Sequence, residues 1–128
     1  MNVPEIDFSN LFRHADNKKV VPAGSVLFRE GDPGDGLYVI VSGELDILVG
    51  EKIVDTLTSG TIVGEMALLN HAPRSATARA KTDCEIAPVD EKRFLFMVSQ
   101  TPFFALQVMR VLSARLLKTD HLYARCKG

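Results

Sequence analysis

The residues best placed to do chemistry lie between Thr61 and Ala80, in the stretch TIVGEMALLNHAPRSATARA. Helix-forming residues follow Gly64 directly, from Glu65 to Leu69, which predicts a single helical turn whose first amides have no intrahelical partner. Free amide donors at a helix start attract anions. Pro73 fixes the chain before Arg74, which is expected to open the next strand with its guanidinium facing the same amides. An arginine fork beside a helix start is the chemistry of a phosphate site.

Glu65 does not belong to such a site on charge alone, because a carboxylate beside a phosphate is repelled. It needs a different polar partner. The vicinal hydroxyls of a ribose are donors that a carboxylate accepts, and a ribose joined to a phosphate in one small pocket means a nucleotide. The competing reading assigns Glu65 to the dipole of its own helix, worth about 0.3–1 kcal/mol, with Arg74 as its salt-bridge mate. Spacing alone leaves both open.

Other chemistries find less support. His14, His71 and His121 fall in three separate segments, whereas a metal centre in a β-barrel enzyme needs clustered His and carboxylate ligands. Each reads as a solvated surface residue. No nucleophile, base and orienting group recur at useful spacing, so no enzymatic activity and no metal or other cofactor are expected. Cys84 and Cys126 are too few for a disulfide framework or a four-cysteine zinc site, which suggests a reducing compartment. Cys84 reads as core and Cys126 as a free thiol.

The chain has 128 residues, 46% hydrophobic and 24% charged, enough for one domain spanning residues 1–128 with a buried core. Fifteen basic against sixteen acidic residues give a net charge of −1, so no global field recruits nucleic acid or an anionic membrane. An anion must be held by a local site. The N-terminal stretch lacks the basic and apolar regions of a signal peptide. The longest apolar run, Leu37 to Val41, is far short of the roughly 20 residues that span a bilayer. A cytoplasmic protein is expected.

Three periodicities divide the chain. Phe8, Leu11 and Phe12 suggest a short docking helix within residues 7–17, capped by Asp7 or Ser9. From 18 to 90 come eight β-type runs, KKVV, SVLF, LYVIVS, ELDILV, KIVDTL, TIV, SATARA and CEIAPV, which predict a barrel or jelly roll. In ELDILV, Leu45, Ile47 and Val49 should form the buried face. Gly50 suits the first central position of a type II′ hairpin turn, and Glu30-Gly-Asp-Pro-Gly-Asp-Gly36 forces a compact reversal. Residues 91–126 read as helices, the first capped by Asp90 and the last restarted at Thr101-Pro102. In that last helix Ala105, Met109, Leu112, Leu116, Thr119, Tyr123 and Cys126 form a heptad-like seam for a homodimer, while Phe104, Val108, Val111 and Leu117 would cover the barrel. The alternative is that the whole stripe packs on its own chain.

Two of these segments together resemble the cyclic nucleotide-binding domain family, closest to the sensor domain of catabolite activator and FNR-type regulators. They are Gly31-Asp-Pro-Gly-Asp-Gly-Leu-Tyr-Val-Ile-Val-Ser-Gly43 and the phosphate-binding cassette Gly64-Glu65-Met66-Ala67-Leu68 with Pro73-Arg74-Ser75-Ala76-Thr77. The resemblance implies a mainly β fold, a jelly-roll double-stranded β-helix with an N-terminal helix and a C-terminal lid and dimer helix. It implies that Glu65 accepts from the ribose 2′-hydroxyl and that Arg74 pairs with the exocyclic phosphate oxygens. Gly64 would let the backbone approach the sugar, and Met66, Ala67 and Ser75 would complete the phosphate cradle. Ile47 and Val54 would carry the base. On the lid helix, Arg115 would reach back to Glu65, while Thr119 and Asp120 would meet the exocyclic amine of adenine.

Two departures stand out: Val63 where the family commonly has Phe, and Asp120 where the activator has a hydroxyl. The stretch to Gly128 also lacks the helix-turn-helix of such regulators, so direct nucleic-acid binding is not expected. The function implied is a regulatory module for cAMP in preference to cGMP, coupling binding to movement of its C-terminal helix. The alternative is a scaffold of the same fold that binds no ligand and serves dimerisation or sensing.

Overall fold

Each apolar run between residues 18 and 90 becomes a strand because turn residues at both ends prevent it from continuing. The computed structural model describes residues 8–34 and 36–127, without the side chains of Asn10 and of residues 117–127. The strands are β1 (Lys19–Val21), β2 (Val26–Phe28), β3 (Gly36–Ser42), β4 (Glu44–Val49), β5 (Lys52–Thr58), β6 (Ile62–Val63), β7 (Thr77–Ala80) and β8 (Cys84–Asp90). They pair antiparallel into two four-stranded sheets, β1-β8-β3-β6 and β2-β7-β4-β5. This is the jelly-roll arrangement expected from the spacing of the runs.

The core lies between the sheets, where Val21, Ile40, Val63, Cys84 and Ile86 from one meet Leu45 and Ala80 from the other. Cys84 is fully buried, and its thiol contacts the carbonyls of Glu44 and Thr82, each at 3.2 Å. Burial pushes the Cys84 thiol pKa up, against a smaller opposing pull from the Thr82 side chain and the Glu44 backbone. The β4–β5 hairpin closes through Gly50-Glu51, with Val49 opposite Lys52. Gly50 has φ 62°, and among the described residues His71 alone of the non-glycines has positive φ. Glu51 therefore does not, and the turn is type II′.

Some expectations need correction. On β4 the structure buries Leu45, Asp46 and Leu48, leaves Ile47 half-buried and exposes Val49. The simple alternation fails because the outer face is partly covered. Asp46 lies between Arg79 and Thr56 and accepts the Thr56 hydroxyl at 2.8 Å. Beside Leu48, Glu30 ties the turn after β2 to the sheet: its amide donates to Thr77 Oγ1 and its carboxylate accepts from the amide of Gly50. The N-terminal helix, α1, is only Ser9–Phe12, so Ser9 is its first helical residue rather than its cap. Phe8 occupies the cap position with no side-chain bond, and Asp7 lies outside the described residues. In so short a helix Phe8 and Phe12 share the buried face, and Leu11 is exposed.

Three helices follow from the remaining signals: α2 (Glu65–Asn70), α3 (Glu91–Gln100) and α4 (Phe103–Lys127). The chain forms two compact units, one ending at Arg93 and the other beginning at Phe94. Within the second, the Phe94 and Phe104 rings meet at 5.5 Å and 59°, and the Phe104 amide donates to Thr101 O across the α3–α4 turn. Phe104 and Val108 are buried, while Met109 and Leu116 of the proposed seam are 58% and 63% exposed. Among the described residues no single helix is long and apolar enough to cross a membrane.

Asp90 caps α3 as expected, its Oδ1 accepting the Arg93 amide at 2.7 Å. Removing a cap of this kind costs about 1 kcal/mol. Asp90→Ala should therefore lower the urea midpoint without changing the slope of the transition.

Candidate functional site

Arg74 enters the interior from the loop ahead of β7, which starts at Thr77 rather than at Arg74 as expected. Its position is set by backbone pairing with the glycine-rich turn. The Gly31 amide donates to Arg74 O at 2.8 Å, and the Arg74 amide donates to Asp32 O at 2.8 Å. Asp32 closes that turn on itself, its Oδ2 accepting from the Arg29 amide at 3.1 Å. The two segments singled out in the sequence thus hold each other.

The Arg74 side chain is only 6% exposed. Its Nη1 donates to Gly36 O at 2.9 Å and to Gly64 O at 3.0 Å. The guanidinium carbon lies 4.4 Å from the centre of the Phe28 ring and 5.5 Å from that of Tyr38. Those rings stack on each other at 6.0 Å. Among the described residues the hydrogen-bond acceptors are neutral carbonyls, and buried Nε has no partner. An unsatisfied buried donor costs about 1–3 kcal/mol, and a buried charge costs more unless it is paired. An anion reaching this guanidinium would relieve both costs.

The surrounding backbone leaves room for that cation. Gly64, at φ 81°, caps α2 in the left-handed region, and a side chain there would strike Arg74 Nη1. A Cβ on Gly34 would come within 2.5 Å of Arg74 Nε and 2.8 Å of the Ala67 side chain. The first intrahelical bond of α2 is a long one, Ala67 N to Gly64 O at 3.3 Å. The amides of Glu65 and Met66 precede it, beyond the reach of intrahelical acceptors. The chain leaves α2 through His71, whose φ of 53° ends the helix shortly before Pro73.

The structure brings some of the expected site residues together. Gly64 and Arg74 are hydrogen-bonded, and Ala67 borders the same space beside Gly34. Glu65 opens α2 and is half-buried, Met66 is 46% exposed, and Ser75 is exposed next to Arg74. Ile47 lies on β4 against the core, and Val54 is 52% exposed on β5. Val54 is the extra residue of a bulge, since Ile47 pairs with Asp55 and Leu48 with Ile53. Arg115 lies on α4 in the second unit. Thr119 and Asp120 are on the same helix, with side chains outside the described residues. Sequence reasoning missed Phe28, Tyr38, Gly34 and Gly36, which surround Arg74. A strand aromatic beside a cation leaves no mark in local spacing. Among the described residues no three His, Cys, Asp or Glu side chains gather as a metal site.

Comparison with known proteins points the same way. Residues 18–101 match the family model described as cyclic nucleotide-binding domain. The cAMP-dependent protein kinase regulatory subunit of Eremothecium gossypii is 33% identical over 93 residues, covering 73% of this chain and 20% of that one. The chain therefore spans about a fifth of the length of this curated relative. The catabolite activator protein of Thermus thermophilus superposes with a TM-score of 0.78 at 26% identity, over 91% of this chain and 62% of that one. A structure from a bacterial cyclic-GMP-dependent signalling pathway superposes with a TM-score of 0.73 at 27% identity, over 92% of this chain and 95% of that one.

Because Gly34 leaves no space for a side chain beside the guanidinium, Gly34→Ala should force Arg74 to shift. Overpacking of this kind costs about 1–3 kcal/mol. Urea denaturation should show that loss, and a variant as stable as the parent would mean the contact relaxes freely.

Proposed function

The chain belongs to the cyclic nucleotide-binding domain family, and on that premise we propose that it is a receptor module for a 3′,5′-cyclic nucleotide, cAMP in preference to cGMP. The buried guanidinium of Arg74 carries the reading. A cyclic phosphodiester bears one negative charge, which one arginine and a few amides can match without a metal ion. Arg74 pairs with the exocyclic oxygens, and the amides around Met66 and Ala67, with Ser75, complete the cradle. Glu65, at the start of the same short helix, accepts from the ribose 2′-hydroxyl. Ile47 and Val54 carry the base. The kinase regulatory relatives, named for cAMP, support adenine as that base.

The module works as a switch and performs no catalysis. Ligand at the cassette favours one placement of α4 over another, with Arg115, Thr119 and Asp120 as its contacts. Such an effect requires that the nucleotide bind the two placements with different affinities. The whole chain, 1–128, acts as one cytoplasmic regulatory domain whose output passes to an effector, a kinase in the case that its relatives suggest. The exposed stripe containing Met109 and Leu116 serves a homodimer, consistent with the burial of Phe104 and Val108 away from it.

Calorimetric titration should give about one cAMP site per chain, with no heat from 5′-AMP at the same concentration. Arg74→Ala should weaken binding by about 1.5–3 kcal/mol, the worth of a hydrogen bond to a charged group. Glu65→Ala should respond less than the parent to removal of the 2′-hydroxyl. Unchanged cAMP affinity in Arg74→Ala would refute the phosphate placement. Separately, sedimentation should show a dimer that Leu116→Glu converts to monomer, and a monomeric parent chain would refute the seam.

A further inference from the structure

The net charge of −1 hides an uneven distribution between the two units. Residues 1–93 carry ten basic and fifteen acidic residues, a net charge of −5. Residues 94–128 carry five basic residues, Arg110, Arg115, Lys118, Arg125 and Lys127, against the single acid Asp120, a net charge of +4. An asymmetry of this size marks the basic unit as the one that meets an anionic surface.

The same unit leaves apolar side chains uncovered. Phe94-Leu95-Phe96-Met97-Val98 is an unbroken apolar run in α3, yet no residue of that helix is fully buried, and Leu95 and Phe96 are each 60% exposed. On α4, at about 100° per residue, the apolar positions fall on three faces. Phe104 and Val108 are buried on the first, and Met109 and Leu116 lie on the second, the one assigned to the homodimer. Phe103 and Leu106 are exposed on the third, which also carries Arg110. The Arg110 guanidinium carbon lies 5.5 Å from the centre of the Phe103 ring, so cation and aromatic are presented side by side. Neither the core nor the dimer seam uses this third face or Leu95 and Phe96. Large apolar side chains left exposed close together mark an interaction surface.

The charge decides between its possible occupants. A second copy would bring another net +4 to the same face, and like charges repel. A nucleic-acid duplex would satisfy the basic residues through its phosphates but makes no use of projecting leucine and phenylalanine. An anionic bilayer takes both kinds of group at once: phenylalanine and leucine enter the boundary between headgroups and acyl chains, while arginine stays at the lipid phosphates. We propose that the unit beginning at Phe94 is a peripheral docking surface for an anionic lipid membrane. Leu95, Phe96, Phe103 and Leu106 enter the interface, and Arg110 meets the headgroups. The third face lies about 100° round α4 from the dimer seam, so both can be engaged together.

The test is co-sedimentation of the full chain with vesicles of phosphatidylcholine alone and of phosphatidylcholine mixed with phosphatidylserine, at low and at high salt. The chain should pellet with the mixed vesicles at low salt, pellet far less with phosphatidylcholine, and be released as salt screens the attraction. A basic residue near an anionic surface is worth about fivefold in affinity, so the charge reversal Arg110→Glu should weaken vesicle binding about tenfold or more. The double variant Phe96→Ser, Phe103→Ser should weaken it at least as much while keeping the urea midpoint and oligomeric state of the parent, because both side chains are exposed. Absence of pelleting with the mixed vesicles, or pelleting that the double variant leaves unchanged, would overturn the membrane surface and leave the receptor reading intact. So would tighter binding to a short DNA duplex than to the vesicles, undiminished in the double variant.

Discussion

A positive charge buried among neutral carbonyls is the constraint around which this fold is arranged. Arg74 is enclosed by Gly34, Gly36 and Gly64, by the Phe28 and Tyr38 rings, and by the backbone of the turn after β2. Among the described residues its Nε has no acceptor. The stacked rings meet part of the electrostatic demand through their faces, an attraction worth on the order of 2 kcal/mol when desolvated. Nη1 is satisfied twice over, which fixes the guanidinium plane. A cation already oriented in this way loses little side-chain entropy when its partner arrives.

The same constraint explains where the glycines stand. At Gly34 and Gly64 an added carbon would collide with the arginine itself. Close approach of backbone to guanidinium is possible only where the side chain is missing. The pairing of Gly31 and Asp32 with Arg74 fixes the loop before β7 to the turn after β2. Two stretches of chain distant in sequence therefore act as one rigid support.

Much of this was legible in the sequence. All eight apolar runs became strands, because Gly, Pro and Asp between them end a strand for local steric reasons. The Gly50 turn and the Asp90 cap were legible for the same kind of reason, since each depends on groups only a few residues apart. The run from Gly64 to Arg74 was legible as helix start, acid and arginine in close succession, and the structure joins its two ends through the Arg74–Gly64 hydrogen bond. Errors appeared where burial depends on distant chain. Asp46 and Leu48 are covered because Thr56, Arg79 and the Glu30 turn come to lie beside them, which no alternation pattern on β4 could register. The start of α1 has a similar cause, as the Phe8 amide donates to the carbonyl of Gly60 and Phe8 takes the cap position expected of Ser9.

The sequence by itself determined the strands and their turns, because those follow from steric and hydrogen-bonding preferences within a few residues, and it set a helix start, an acid and an arginine in close succession. Tertiary structure alone decided what surrounds the guanidinium and which residues line up across the sheet with Ile47. Cross-strand register is a long-range property: a shift of one residue would turn Asp55 to the opposite face while leaving every local signal unchanged.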